Sequence, residues 1–209
     1  MKFSKFEEWE PYYRQILADF GFDRDADEEA ARVLDRLLPH DSLPLLEKQI
    51  RGQAVTVCGN APTLDRELDR VKGVVVAADR AAERLFRHGV RPAAIVTDLD
   101  GATEEFVEMN RRGTVIVVHA HGDNIPLLHR WVPHLPGPLV GTTQARPVGR
   151  IHNFGGFSDG DRAVYLAHAL GASSVTLAGF LLDDPNVGPV KRGKLLWARR
   201  LLALIGHDL

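Results

Sequence analysis

Phe6, Trp9, Tyr13, Ile16 and Leu17 recur at intervals of three and four residues near the start of the chain, an apolar stripe on an otherwise polar segment. That spacing matches the period of an amphipathic helix. A second helix is expected over Glu28 to Leu38, with Ala31, Val33, Leu34, Leu37 and Leu38 on its buried side and Pro39 stopping it. Neither helix carries residues arranged for chemistry, so residues 1–50 read as a helical cap on the core that follows.

From Ala54 the pattern changes to short apolar runs rich in Val and Ile. Val55–Cys58, Val74–Ala77, Ala93–Val96, Val115–Val118, Leu139–Thr142 and Val175–Ala178 read as strands covered on both faces. Helix-length segments separate the earlier ones, at Thr63–Val71, Arg80–His88, Glu104–Arg111 and Ile125–Trp131. Arg146–Asn153 interrupts the rhythm as a loop or a β-hairpin, and a last helix runs from about Lys191 to Ile205. Strand–helix alternation of this kind predicts right-handed crossovers and an α/β fold, a doubly wound, mostly parallel, Rossmann-like sheet over residues 51–209. Ligands of such sheets bind outside the carboxyl ends of the strands.

Composition narrows the setting. The chain has 209 residues, room for one sizeable core and a small appended helical segment. Its formal net charge of −2, with acids and bases interleaved, offers no basic stripe for nucleic acid. No apolar run approaches the ~20 residues needed to cross a bilayer, and the first residues are too acidic and too weakly apolar for a signal peptide. Cys58 is the single cysteine, so a reducing cytoplasm is the expected compartment, and its Val-rich surroundings make it a core thiol. A soluble cytoplasmic protein is expected, without nucleic-acid or membrane partners; a homo-oligomer is compatible with all of this.

The unusual polar residues follow the strands. Thr97-Asp98-Leu99-Asp100-Gly101 closes the third apolar run. Residues two apart on an extended chain share a face, so Asp98 and Asp100 present both carboxylates to one small volume. Like charges that close need something positive between them, and Mg²⁺ carrying phosphates is the natural occupant. A solvated acidic turn or a helix N-cap is the plainer alternative. Cys58-Gly59-Asn60-Ala61-Pro62-Thr63 ends the first strand with a turn glycine and a helix start, a place for phosphate or ribose, or a plain tight turn. Asp79 is an N-cap or a ligand to ribose or metal. His119-Ala120-His121-Gly122-Asp123-Asn124 offers two imidazoles and a third carboxylate, Asp123, which joins the acidic pair or simply caps a helix; zinc lacks its third and fourth ligands here. Thr142, Thr143 and Gln144 suit hydrogen bonding to a heterocycle. Asn153-Phe154-Gly155-Gly156-Phe157-Ser158-Asp159 pairs glycines with phenylalanines ahead of a helix that Ser158 can cap, and Asp161 offsets the dipole of that helix. Lys191 and Lys194 open the last helix against its dipole, which makes sense if they face triphosphate; otherwise they are ordinary solvated lysines.

In this order, the segments Gly59–Leu64, Ala78-Asp79, Thr97–Gly101, His119–Asn124, Asn153–Arg162 and Ala178-Gly179-Phe180 resemble the archaeal 6-hydroxymethyl-7,8-dihydropterin pyrophosphokinase family, the MptE-like proteins. The resemblance runs from about Ala54 to Lys194, behind a helical leader that also looks typical. One departure is local: Asn60 and Thr63 replace a small residue and a serine of the family's Gly-x-Gly-Pro-Ser-Leu pattern. The family is similar to thiamine pyrophosphokinases, whose Asp-x-Asp after a strand holds magnesium; carried over, Asp98, Asp100 and Asp123 are the Mg²⁺ carboxylates. The implied reaction moves the β,γ-pyrophosphoryl group of ATP to the hydroxymethyl oxygen of a reduced pterin and releases AMP. ATP is then expected on Gly59, Asn60, Pro62, Thr63, Asp79, Thr142, Thr143, Gln144, Lys191 and Lys194. The pterin is expected on His121, Asn153, Phe154, Gly155, Gly156, Phe157 and Asp159. His119 or His121 assists proton removal or anchors its loop. Thiamine pyrophosphokinase is a rival reading that lacks the all-β segment seen after the core in that family. A non-catalytic nucleotide-binding regulatory module is the other, and the intact acidic pair speaks against it.

Overall fold

Strands that are apolar on both faces oblige the chain to cover both faces with helices, and the computed structural model, which describes residues 3–207, does so. The leader forms three helices, α1 (Phe6–Phe20), α2 (Arg24–Leu37) and α3 (Leu43–Ile50). The core runs β1 (Ala54–Cys58), β2 (Val74–Ala78), α4 (Ala81–Arg87), β3 (Ala94–Thr97), α5 (Glu104–Arg111), β4 (Val115–Ala120), α6 (Ile125–Trp131), β5 (Leu139–Thr143), β6 (Ile151–His152), α7 (Asp159–Ala169), β7 (Ser174–Ala178) and α8 (Pro189–Ala203). All seven strands are parallel, in the order β6-β5-β4-β3-β2-β1-β7. The doubly wound sheet expected from the alternation is present.

Period-two alternation sorts the side chains into two cores. Val75, Ala77, Ile95, Ile116 and Val118 face α2, α4, α5 and α6. Val76, Ala94, Val96, Val115 and Val117 face α3, α7 and α8. Aromatic residues of α1 form a third cluster with Tyr165 of α7 and Trp197 and Leu201 of α8. Cys58 is buried, and that burial pushes its thiol up to about 12, an inert core residue. Among the described residues, no helix is long and apolar enough to cross a membrane.

Three local expectations change. Thr63–Val71 is not one helix but two short 3₁₀ turns, Pro62–Arg66 and Leu68–Arg70, because only Leu64 of these residues is fully buried and no stripe holds a longer helix down. Arg146–Asn153 is a loop ending in β6, which pairs parallel with β5 through Gly141 and Ile151, so it is no hairpin. Helix α3 was not anticipated; with eight residues and two buried anchors, Leu46 and Ile50, it is too short for periodicity to reveal.

The chain leaves β1 toward β2, and α7 later carries it back across the sheet to β7 on the other side of β1. This reversal is where an open α/β sheet leaves a crevice at its carboxyl edge. The loops after β1 and β7 meet back to back there. A Cβ on Gly59 would lie 2.6 Å from the Gly179 carbonyl, and one on Gly179 (φ +70°) would lie 2.4 Å from the Gly59 carbonyl. Gly59 is therefore glycine because another backbone passes against it.

Candidate active site

The acidic turn is built by strain and hydrogen bonds, not by strand alternation. β3 ends at Thr97, and Leu99 adopts φ +72° with its side chain buried in the core. Asp98 Oδ1 then accepts from the Asp100 amide at 3.1 Å, which curls the segment. The expectation that extended backbone aligns the two carboxylates is corrected: a left-handed residue and an Asx turn bring them together. Thr97 Oγ1 accepts from the Leu99 amide at 2.9 Å and donates to Asp79 Oδ1 at 2.8 Å. Asp79 is itself at φ +46°, and a Cβ on Gly101 would sit 2.2 Å from its Oδ2, so glycine at 101 is what admits that carboxylate.

The charges register the crowding. Burial opposes ionisation of Asp98, yet the His121 ring and the Asp100 amide outweigh it and hold Asp98 below the usual carboxylate range. Asp100 is pushed up to about 6, by burial and then by Asp98 and Asp79, against the pull of Lys194. Burial also raises Asp79, and it raises Asp159 strongly, where Asp98, Asp79 and Asp100 add to it against Arg162. Asp159, at the start of α7, thus belongs to the same negative cluster. Asp123 stands exposed at the rim.

Asn124 ties the ends of β3 and β4 together. Its Nδ2 donates to the carbonyls of Asp98 (2.8 Å) and His119 (2.7 Å), and its Oδ1 accepts from the His121 amide (3.1 Å). His121 Nδ1 accepts from the Asp123 amide at 3.4 Å, so its proton is on Nε2, 3.5 Å from Asp98 Oδ2. His121 therefore stabilises the Asp98 charge and is not poised to remove a proton. His119 is fully buried and, held well below the usual imidazole range by burial and the Arg162 charge, is neutral.

The leader reaches this site. Asp27 of α2, buried to 2% exposure, accepts from the Gly122 amide on Oδ1 and from Tyr13 Oη and Gln144 Nε2 on Oδ2, each at 2.8 Å. Gln144 Oε1 accepts from Arg162 Nη2 at 3.2 Å, and Arg162 Nη1 lies 3.7 Å from Asp159 Oδ1. A buried polar chain thus runs from Tyr13 through Asp27, Gln144 and Arg162 to Asp159.

Two cavities meet at the cluster. The larger, about 680 Å³, is walled by Phe22 and Asp27 of the leader, Phe157, Gln144, Arg162 and the Asp98–Asp100 turn, with His121 and Asp123 also on its wall. The smaller, about 310 Å³, lies under Gly59, Asn60, Pro62, Asp79, Gly179 and Phe180. Ser158, Asp159, Lys191 and Lys194 line both.

The expected site residues separate accordingly. Gly59, Asn60, Pro62 and Asp79 share the smaller cavity, while Gln144 faces the larger one. Asn60 is engaged through Oδ1 by Arg84 Nη1 at 3.2 Å. The Thr63 hydroxyl is buried away from both cavities. Thr142 and Thr143 turn inward, Thr142 Oγ1 donating to the Val118 carbonyl at 3.1 Å and Thr143 Oγ1 accepting from the Ala145 amide at 3.1 Å. The expectation of a ligand cradle at Asn153–Gly156 is corrected. Asn153 spends its amide on the carbonyls of Gln144 and Ala145 (3.0 and 2.9 Å) and on the Gly155 amide (2.9 Å). Phe154 stacks on His152 at 5.7 Å. Cβ atoms on Gly155 and Gly156 would collide with the Phe3 ring (2.5 Å) and with Arg162 Cα (2.6 Å). These glycines admit neighbours, not a ligand. Phe157 does reach the larger cavity, 6.3 Å from Phe22 and 6.0 Å from Lys194 Nζ. Sequence reasoning missed Asp27 and Phe22 altogether; Asn124, Arg162 and Phe180 lay inside the segments it singled out but were given no place in the site.

Among the described residues, no three His, Cys, Asp or Glu side chains are grouped to enclose a metal on protein ligands alone. Such a cage is what zinc requires and what Mg²⁺ does without, since Mg²⁺ takes one or two carboxylates, waters and substrate phosphates. The hard oxygen donors of Asp98 and Asp100, crowded by Asp79 and Asp159, fit that ion.

A parallel sheet whose switch point opens into two chambers sharing Asp159, Lys191 and Lys194 is an α/β protein with room for two ligands side by side. The chain belongs to the 6-hydroxymethylpterin diphosphokinase MptE-like family, whose sequence model matches residues 29–186. It is 45% identical to the 6-hydroxymethyl-7,8-dihydropterin pyrophosphokinase of Methanothermobacter thermautotrophicus, over 93% of this chain and 92% of that one. It is 37% identical to the protein of the same name from Pyrococcus furiosus (98% and 95% covered) and 36% identical to that of Methanocaldococcus jannaschii (83% and 78%).

Proposed function

We propose that this protein transfers the pyrophosphoryl group of ATP to the hydroxymethyl oxygen of 6-hydroxymethyl-7,8-dihydropterin, producing the pterin diphosphate and AMP, as a Mg²⁺-dependent cytoplasmic enzyme of reduced-pterin cofactor synthesis. The observation that carries this reading is the pair of cavities sharing Asp159, Lys191 and Lys194 beside the Asp98–Asp100 turn. A transfer between two bound substrates needs two chambers and one meeting point.

In this reading the nucleoside occupies the smaller chamber, against Phe180 and the Gly59–Pro62 loop. The pterin occupies the larger chamber, where Phe22 and Phe157 supply apolar walls for a flat heterocycle. The phosphates lie across the shared wall. There Lys191 and Lys194 stand in the first two turns of α8, where the helix end itself favours an anion. That location makes sense of two cations placed against a helix dipole. Asp98 and Asp100 are the residues that would hold Mg²⁺, and the ion would supply positive charge for the phosphate oxygens during transfer. His121 keeps Asp98 ionised for that role. Asp123 is exposed at the rim of the larger cavity, where it would add negative charge beside the Asp98–Asp100 pair.

Phosphorus NMR of the purified protein with ATP, Mg²⁺ and 6-hydroxymethyl-7,8-dihydropterin tests the proposal. AMP and pterin diphosphate should appear in equal amounts. ADP in place of AMP would mean an ordinary kinase and would refute it.

A further inference from the structure

His119 and Arg162 each leave one polar atom unpaired in the interior, and the two atoms are complementary. The Thr142 hydroxyl donates its single proton to the Val118 carbonyl at 3.1 Å, so it offers only lone pairs to His119 Nδ1 at 3.2 Å. His119 must then carry its proton on Nδ1, and Nε2 is a bare acceptor. Among the described atoms Nε2 is buried without a hydrogen-bond partner, and so is the Arg162 Nε–H donor. Both residues line one small enclosed cavity of about 10 Å³, otherwise walled mainly by Val96, Val117, Phe154 and Leu166. That is space for a single water, and an unpaired donor and acceptor are the partners such a water requires.

We propose that His119 is a positioning residue for Arg162, acting through one ordered water that accepts from Arg162 Nε and donates to His119 Nε2. With Gln144 holding Nη2, the water fixes the guanidinium plane from both ends. Its Nη edge is thereby set into the wall of the larger cavity, where it hydrogen-bonds the acceptor substrate. This rests on the pterin occupying that cavity.

The imidazole nitrogens of the ¹⁵N-labelled protein give the first test, independent of turnover. His119 should show a protonated Nδ1 and an unprotonated Nε2, unchanged across the range in which an ordinary imidazole titrates. A protonated Nε2, or titration, overturns the proposal even if pterin diphosphate is made; loss of the activity reading leaves this test standing. Kinetics give the second. His119→Phe keeps a ring and removes the acceptor, and should raise the pterin KM roughly tenfold while the ATP KM stays within about twofold. His119→Gln, which returns an oxygen near the Nε2 position, should recover most of that loss. In an Arg162→Lys background, which lacks Nε, His119→Phe should add nothing further. Equal effects on both substrates, no rescue by Gln, or additivity with Arg162→Lys would each refute the positioning role. Should His119→Phe fail to fold, the wild-type tautomer still decides.

Discussion

Replacing Asp27 by Asn changes no volume and leaves one acceptor oxygen, yet it should be one of the costliest conservative substitutions in the leader. Three donors converge on the carboxylate: the Gly122 amide on Oδ1, and the Tyr13 hydroxyl and Gln144 amide on Oδ2. If the new NH₂ faces the Gly122 amide, two donors oppose each other and neither can turn away. If it takes the other position, Tyr13 can rotate its hydroxyl to accept, but Gln144 Nε2 loses its acceptor. Either way at least one buried donor is left unpaired. A hydrogen bond to a charged group contributes about 1.5–3 kcal/mol, and an orphaned buried donor costs about 1–3 kcal/mol. Relief from burying a charge offsets part of this, while the weakened field on Arg162, which Asp27 helps keep cationic, works the other way. A net loss of about 3 kcal/mol follows, which for a chain of this size lowers Tm by roughly 6–12 °C. Differential scanning calorimetry measures it, with the pterin KM followed alongside because Gln144 and Arg162 lose their common anchor. A loss below about 1 kcal/mol with normal kinetics would refute the claim that Asp27 binds the leader to the site.

Asp98→Asn and Asp100→Asn should each lower turnover about a hundredfold or more without unfolding the protein, since removing one of two repelling carboxylates does not harm the metal-free core; near-normal activity with ordinary Mg²⁺ in both variants would dismiss the assignment, and calorimetric Mg²⁺ titration gives a second readout. Asp100, pushed up to about 6 by burial and by Asp98 and Asp79, holds a proton below that pH when no cation is bound. Proton and metal compete for it, so Mg²⁺ affinity should fall by up to about tenfold per unit as the pH drops through that value, and stay flat above it; a pH-independent affinity would contradict this. Gly156→Val should destabilise the fold by on the order of 3 kcal/mol, because residue 156 sits at φ +89° and its Cβ would meet Arg162 backbone; a stable variant with only a raised pterin KM would restore the loop to the ligand.

The sheet was legible because its strands are unambiguous: Val115–Val118 and Ala93–Val96 are apolar on every residue, which only a two-sided burial explains. Residues 63–71 carry the same local preferences as many helices, but what decides there is how much apolar surface the sheet offers, and no spacing records that. The acidic pair was legible for its residue types, not its shape. That Leu99 turns left-handed follows from its side chain being pulled into the core between two residues that must face out. The glycine pair failed for a related reason. Small residues before a helix look alike whether a ligand or Arg162 and Phe3 fill the space, and only the fold says which.

The leader is the instructive case. As a sequence it offers two amphipathic stripes and scattered acids, and Asp27 is one carboxylate among several in the first turns of α2. In the fold that one carboxylate accepts from α1, from the turn after β4 and from the residue after β5. Phe22, a few residues earlier, forms cavity wall for the same reason: the α1–α2 corner is held over the carboxyl edge of the sheet. The smaller chamber is lined by loops of the α/β core together with α7 and α8 and by no residue of the leader, so the proposed nucleotide site can form without the leader. The larger chamber takes part of its wall from the leader, at Phe22, Ala26 and Asp27. A protein of this architecture that kept its nucleotide but changed its acceptor would therefore be expected to differ first at the α1–α2 corner, and substitutions at Phe22 should alter pterin affinity while leaving ATP affinity in place. Equal loss of both in Phe22→Ala, measured by separate binding titrations of each substrate, would mean that the two chambers do not divide the ligands in this way.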